Sequence, residues 1–311
     1  MRLLIVSQYF WPEEFRINDL AAELRRRGHT VEVLTGIPNY PSGRSFPGYR
    51  WWQFRREQYE GVRGFRVPIV PRGQKQPWRL LLNYCSFVMT GIAFGPLCCR
   101  GRYDAILVYE PSPITVGIPA IVLKRLRHAP IFLWVQDLWP ESLAATGTVR
   151  STRILALVER LTRWIYRMCD VILVQSNGFR PHALRMGKTD DAIAYLPNWA
   201  EDCYQPIVLP HDAPERSLVP RTGFMVMFAG NIGTAQGFDT IIAAAALLHE
   251  MADVHFVILG DGRDRARIAA DVARRGLSDR FHFLGRHPME AMPRFFVLAD
   301  VLLVTLKRSP I

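Results

Sequence analysis

Along 311 residues, short apolar runs alternate with amphipathic stretches, and one proline-rich interruption splits the alternation into two series. This pattern predicts parallel sheets with right-handed crossovers and helices on both faces. In the first series the runs at 3–8 (LLIVSQ), 30–36, 64–70, 105–110, 131–136, 171–176 and 192–197 read as strands. Helical patterns fall at 18–27, 80–99, 114–127, 151–168 and 178–187, the first closed by Gly28. Residues 37–60 read as one long loop, of the kind that carries function. The second series has strands at 224–230, 254–260, 281–285 and 301–306, with helices at 238–250, 264–275 and 289–298. The expectation is an α/β protein of two Rossmann-like, doubly wound units. One is a domain over 1–203, followed by a linker at 204–223 (Pro206, Pro210, Pro214, Pro220, Gly223). The other is a domain over 224–311 that looks incomplete at four strands.

With 49% hydrophobic residues the chain can build both cores. Its five Cys form no CxxC pair and its eight His show no metal spacing, so neither a metal nor a disulfide framework is expected. That usage suits a reducing cytoplasm, and the apolar run before Glu13 and Glu14 is too short for a signal peptide.

The net charge of +11 is uneven. From Arg44 to Arg79 nine Lys or Arg face two Glu, a local +7, and the run LLLNYCSFVMTGIAFGPLCC (80–99) follows directly. Fourteen of its twenty residues are apolar, which approaches the length of a membrane span. The favoured reading is a membrane-associating segment at 72–100 that lies on the lipid surface, with the basic stretch against anionic headgroups. The alternative is a helix packed inside the domain with its Arg residues solvated. No nucleic-acid-binding module accompanies the charge, so nucleic acid is not an expected partner.

In open parallel sheets, ligands bind beyond the carboxyl ends of strands near the point where strand order reverses. FAGNIGTAQGFDTI (228–241) ends a strand on Gly230 and turns through glycines into a helix. Such a turn offers amides to a phosphate or diphosphate, although an ordinary tight turn also wants glycine. GDG at 260–262 repeats the arrangement one strand later. At the other end, SQYFWPEEFRIND places Glu13, Glu14, Arg16 and Asn18 after the first strand. FLWVQDLWPES ends a strand on Asp137, which is either a helix cap or a carboxylate at a reaction centre.

Together, RRRGHTVEVLTG, YLPNWAED, FAGNIGTAQGFDTII, VHFVILGDG and FHFLGRHPMEAMPRFFVLADVLLV resemble the ordered blocks of family-4 retaining glycosyltransferases of the GT-B fold. SQYFWPEE, TGIPNYPSG and VQDLWPES resemble the bacterial branch that builds O-antigen and colanic-acid-type repeats, including N-acetylfucosamine transferases. The resemblance implies a nucleotide-diphosphate sugar donor, a lipid-linked saccharide acceptor and transfer with retention. It places the enzyme on the cytoplasmic face of the inner membrane and calls for no cofactor. It puts Gly230, Asn231, Gly233, Gln236 and Gly237 on the diphosphate turn. Gly260, Gly262, Gly285, Arg286 and Lys307 complete the donor set. Asp137 falls on the polar pair facing the transferred sugar, with Glu13 and Arg16 as further catalytic candidates. Glu14, Asn18, Tyr40, Trp139 and Glu141 are the acceptor candidates. The chain departs from the family pattern at Gln136, where His is usual, at Thr234 and Gln236, where cations are usual, and at Ile311, before the family's closing region. The alternatives are a truncated, inactive remnant that binds membrane or partner, and a GT-B nucleotide-sugar epimerase.

Overall fold

The structure, a computed structural model, describes residues 1–74, 76–145, 149 and 151–307. Lys75 of the basic stretch and the last four positions of the expected second domain lie outside the described residues. The chain divides after Asn198 into two compact units.

The first unit runs β1 (Arg2–Val6), α1 (Arg16–Arg26), β2 (Thr30–Gly36), β3 (Arg55–Tyr59), β4 (Val62–Val67), α2 (Pro77–Cys98), β5 (Ala105–Glu110) and α3 (Gly117–Arg127). It continues through β6 (Ile131–Val135), α4 (Glu141–Ala145), α5 (Thr152–Met168), β7 (Val171–Val174), α6 (Arg180–Arg185) and β8 (Ile193–Tyr195). Strand order is β3-β4-β2-β1-β5-β6-β7-β8, parallel except for the β3–β4 pair. The order reverses between β1 and β5, so the crevice beyond Val6 and Glu110 is this unit's switch point. Its core is the run of Leu4, Val6, Leu34, Val67, Val108 and Leu133 with the helices that cover them.

The residues expected as one loop over 37–60 instead contain β3. Arg-Arg-Glu-Gln-Tyr carries no apolar alternation, yet it pairs with β4 through a two-residue turn. Glu60 (φ 47°) and Gly61 (φ 78°) both have the positive φ that such hairpins require. As the sheet's edge, a charged strand is the expected solution. Arg66 is buried and donates to the Gly36 carbonyl at 2.7 Å. It also pairs with Glu57 and with the Trp11 carbonyl, so part of the basic stretch serves the interior.

The helix α2 has one buried face and an exposed apolar remainder. Asn83, Phe87, Gly91 and Gly95, spaced four apart, form one buried stripe. A Cβ on Gly91 would stand 2.9 Å from Pro119, which is why glycine occupies that position. The remaining surface leaves Trp78, Leu81, Leu82, Met89 and Leu97 exposed. Among the described residues this is the one helix long and apolar enough to cross a membrane.

The second unit runs β9 (Phe224–Ala229), α7 (Phe238–Leu247), β10 (Val254–Leu259), α8 (Arg265–Arg274), β11 (Phe281–Gly285), α9 (Met292–Phe296) and β12 (Val301–Leu303). Its all-parallel order, β11-β10-β9-β12, reverses between β9 and β12. Met225 and Met227 of β9 enter one core with Phe295, while Phe228 enters another with Ile242 and Ile268. This is the two-faced burial of a doubly covered strand. Residues 204–223, expected as a free linker, lie with this unit. Arg294 donates to both carboxylate oxygens of Glu215 at 2.6 and 2.9 Å, and Tyr204 stacks on Phe296 at 5.8 Å.

Candidate functional site

At the first switch point the chain builds its wall from side chains. The Glu13 carboxylate, 1% exposed, accepts from the Asn39 and Tyr40 amides at 2.8 and 2.7 Å and from the Phe10 amide at 3.3 Å. Burial pushes the carboxyl up to about 7, against those three amides and Arg66. Asn18 is consumed in the same loop, accepting from the Trp11 amide at 2.9 Å and donating to the Glu13 carbonyl at 2.7 Å. Glu13 and Asn18, expected to meet substrate, therefore staple the β1 loop to the β2 loop; a buried group with all its partners in the backbone has no face left for a ligand. Tyr9 stacks on Phe15 beside them and Tyr40 meets both rings tilted, with centroids 5.1 to 5.7 Å apart, and Arg72 lies over Tyr40 at 5.0 Å. Behind this loop Gln8 donates to the Asn83 side chain, and Asn83 donates to the Val70 carbonyl, each at 2.6 Å. The isolated Asn83 within the apolar run 80–99 is the sequence signal for this network.

Arg16 opens α1 and its side chain lies 3.8 Å from Asp19. Burial drives the Tyr109 hydroxyl up, and the Arg16 side chain and amide oppose that rise. Glu14 is exposed.

Asp137 follows β6. Burial raises its carboxyl above the usual range, opposed by Ser142, Trp139 and the Leu138 amide. Trp139, expected to wall the acceptor site, is 7% exposed and belongs to the core with Tyr84 6.4 Å away, so it supports the site from within. Glu141, a further acceptor candidate, is engaged elsewhere. Its Oε1 accepts from Arg185 at 2.9 Å and lies 3.0 Å from Nδ1 of buried His182. Burial pushes Glu141 up, but His182 and Arg185 outweigh it and hold the carboxyl at about 2. Gln136 accepts from Asn198 at 2.8 Å, and its carbonyl accepts from Gln175 at 2.9 Å. Gln136, Gln175 and Asn198 thus form an amide ladder across the ends of β6, β7 and β8. The most unusual group of this edge is marked in the sequence only by its place at a strand's carboxyl end. Glu110, which ends β5, is 0% exposed, and neither carboxyl oxygen has a hydrogen-bond partner among the described residues.

The second switch point is built from backbone. The Gly230 and Ile232 amides donate to the Leu259 and Asp261 carbonyls at 2.9 and 3.0 Å, and the Gly260 amide to the Gly285 carbonyl at 2.6 Å. A Cβ on Gly260 would stand 1.9 Å from the Gly230 oxygen, and one on Gly262 would stand 2.2 Å from the Ile232 oxygen. The two glycine turns therefore interlock, and Gly260 and Gly262 are required by that approach. A cavity of about 330 Å³ opens at the turns, lined by Gly230, Asn231, Gly260, Asp261, Arg286 and His287 together with the Tyr204–Phe296 stack. Gly230, Asn231, Gly260 and Arg286 are thus brought together as expected.

Gly233, Gln236 and Gly237 lie farther along the turn. There the Lys307 amide donates to the Ala235 carbonyl at 2.7 Å, and the Thr305 hydroxyl to the Gln236 carbonyl at 2.7 Å. The Lys307 ammonium, expected to be available to a donor, lies 3.7 Å from Asp239 instead. A second cation stands at the turn: Arg263 donates to the Thr234 hydroxyl at 3.2 Å. Among the described residues no three His, Cys, Asp or Glu side chains cluster as metal ligands.

Comparison with known proteins agrees with this geometry. Residues 14–199 match the Glycosyl transferase 4-like domain, and residues 212–310 match Glycosyl transferases group 1. The chain is 25% identical to WcaI of Escherichia coli, named as a colanic acid biosynthesis glycosyl transferase, over 99% of this chain and 77% of that one. It is 30% identical to the glycosyltransferase WbjE of Pseudomonas aeruginosa, over 77% of this chain and 60% of that one. Among solved structures, Anabaena HepE in complex with UDP superposes with a TM-score of 0.63 at 14% identity, covering 99% of this chain and 75% of HepE. That likeness gives the fold as GT-B. A chain matched along almost its whole length by these two domains, in this order, belongs to the Glycosyl transferase 4-like family and is a glycosyltransferase.

Proposed function

We propose that this glycosyltransferase moves a sugar, with retention, from a nucleoside-diphosphate sugar to a lipid-linked saccharide in the assembly of an O-antigen or colanic-acid type polysaccharide. The observation that carries the reading is the interlocked pair of glycine turns with its 330 Å³ cavity. Breaking the bond between the anomeric carbon and phosphate builds negative charge on the leaving diphosphate. Arg263 beside the Gly230 turn, with the amides of that turn other than those donating to Leu259 and Asp261, meets that charge without reorganisation. The Tyr204–Phe296 stack and Arg286 supply an aromatic and cationic lining for the nucleoside. The chemistry assigned here calls on no metal, because the amides and Arg263 do that work.

In the first unit Asp137 is the group assigned to the reaction. As a carboxylate it orients the incoming hydroxyl and stabilises positive charge at the anomeric carbon. The bond from that carbon to the acceptor oxygen forms as the bond to phosphate breaks, and the acceptor proton leaves with the diphosphate. Arg16 and Tyr40 stand at the same edge and are assigned to the acceptor. The exposed apolar side of α2, with Arg50, Arg56 and Arg79 exposed nearby in sequence, is assigned to an anionic lipid surface on the cytoplasmic face of the inner membrane.

The test is calorimetric and enzymatic. The chain should bind UDP, GDP or ADP and release a nucleoside diphosphate from the matching sugar nucleotide when a bacterial lipid extract is added. EDTA should leave the rate unchanged. Failure to bind any nucleoside diphosphate would sink the donor assignment. Equal sedimentation with neutral and anionic vesicles would sink the docking assignment.

A further inference from the structure

Glu110 is a fully buried carboxyl whose two oxygens have no hydrogen-bond partner among the described residues, at the reversal point of the first sheet. An ionised carboxyl cannot remain so, because taking a charge out of water without partners costs far more than protonating it. Nor does stability explain its presence, since an apolar side chain of the same shape would be neutral or stabilising there. The strand register sets Glu110 opposite Val135, and the Glu110 carbonyl accepts from the Gln136 amide at 3.0 Å. Asp137 is therefore the next residue along the neighbouring strand end. Burial drives Glu110 well up, and the Asp137 charge adds to the rise while the Asp137 and Gln136 amides oppose it. The other titratable groups facing Glu110 are the phenols of Tyr84 on α2 and Tyr109 on β5, and that of Tyr166 on α5, all held neutral by burial. No cation acts on Glu110 from these elements. Asp137, by contrast, is only partly buried, and Ser142, Trp139 and the Leu138 amide favour its charged form. Two neighbouring carboxyls do not both ionise beside a dry interior, and the less buried one is the one that does.

We propose that Glu110 is a positioning residue for Asp137: it stays uncharged and turns its O–H toward the Asp137 carboxylate, so that the pair carries one negative charge and Asp137 bears it. The proposal rests on the reading of Asp137 given above. In its neutral form Glu110 is a single O–H donor with water excluded around it, and the Asp137 carboxylate is the charged acceptor that acts on it.

The test uses the whole chain with Glu110→Gln, which keeps a donor and the shape, and Glu110→Leu, which keeps only the shape. Infrared difference spectra near neutral pH should show a protonated carboxyl in the wild type that Glu110→Gln lacks. With the Asp137 band assigned by its loss in Asp137→Asn, the same spectroscopy should place Asp137 ionisation in Glu110→Leu about one unit higher than in the wild type, because a donor to its charged form is gone. In turnover, Glu110→Gln should keep kcat within about threefold. Glu110→Leu should lose about tenfold in kcat at unchanged donor KM, while melting no lower than the wild type. A merely structural role would move melting temperature and kcat together. No protonated carboxyl lost in Glu110→Gln, or an unmoved Asp137 titration in Glu110→Leu, overturns the proposal. Both spectroscopic arms read out even if no sugar nucleotide is turned over, a result that would overturn the proposed function instead.

Discussion

The two switch points of this chain follow the same topological rule and are made of different material. At the β1/β5 crevice the wall is side chain: a stapling glutamate, an amide network reaching to Asn83, an aromatic stack and two neighbouring carboxyls. At the β9/β12 crevice the wall is main chain, with glycine amides and carbonyls in direct contact and few side chains committed. A backbone cradle suits a ligand part that never changes, such as a diphosphate. A side-chain wall suits one that must be distinguished by its hydroxyls.

If that contrast is right, the first crevice should fail by chemistry and the second by shape. The largest effect is expected at Asp137. Asp137→Asn should lower kcat by about 10³-fold or more, roughly 4 kcal/mol of barrier, with donor binding and melting temperature unchanged. Steady-state kinetics beside calorimetry checks this, and wild-type turnover would remove Asp137 from the reaction. Next comes Gly262→Ala. Its Cβ would stand 2.2 Å from the Ile232 oxygen, so the turn must open. A stability loss of about 2–4 kcal/mol with loss of nucleotide binding is expected, whereas Asn231→Ala should change stability by less than about 0.5 kcal/mol. Comparable losses in the two variants would break the contrast.

Glu13 gives a pH signature confined to the first unit. Its carboxyl is raised from 4.5 to about 7, so the folded state holds the proton more tightly than the unfolded state. Stability should therefore fall as pH rises through that window, by an amount on the order of 3 kcal/mol, and stay level below it. Glu13→Gln should flatten the slope in urea titrations, and an unchanged slope would assign it to another group. Smallest is Arg263→Ala, expected to raise the donor KM about tenfold with little change in stability, as the loss of one exposed cation from an amide cradle.

Much of the fold was legible because parallel strands buried on both faces announce themselves as unbroken apolar runs, and a strand running into glycines marks its carboxyl end. Asp137 could be placed at a crevice on that basis alone. β3 could not be read, since Arg-Arg-Glu-Gln-Tyr has no apolar face and is defined only by its partner β4 and the Glu60–Gly61 turn. Glu13 and Asn18 looked like substrate groups because sequence shows that a loop is polar, not whether its polarity is spent internally. The Lys307–Asp239 pair could not be read either, since Asp239 lies on another element and no spacing links them. Glu110 closes an ordinary strand pattern, and only burial makes it unusual.

The interlock of Gly260 and Gly262 against the Gly230–Ile232 turn also bears on how such a protein can be changed. Because main chain grips main chain, the cradle's shape does not depend on the side chains of Asn231 or Arg286 at the cavity, whereas the Asp261 carboxylate accepts from the Gly262 amide at 2.8 Å and belongs to the turn. Asn231 and Arg286 are therefore free to drift, in evolution or in a mutant library, without moving the amides. Under the proposed function, the second unit can exchange one nucleotide preference for another while the cradle stays fixed, an independence the first crevice, stitched side chain to side chain, does not have.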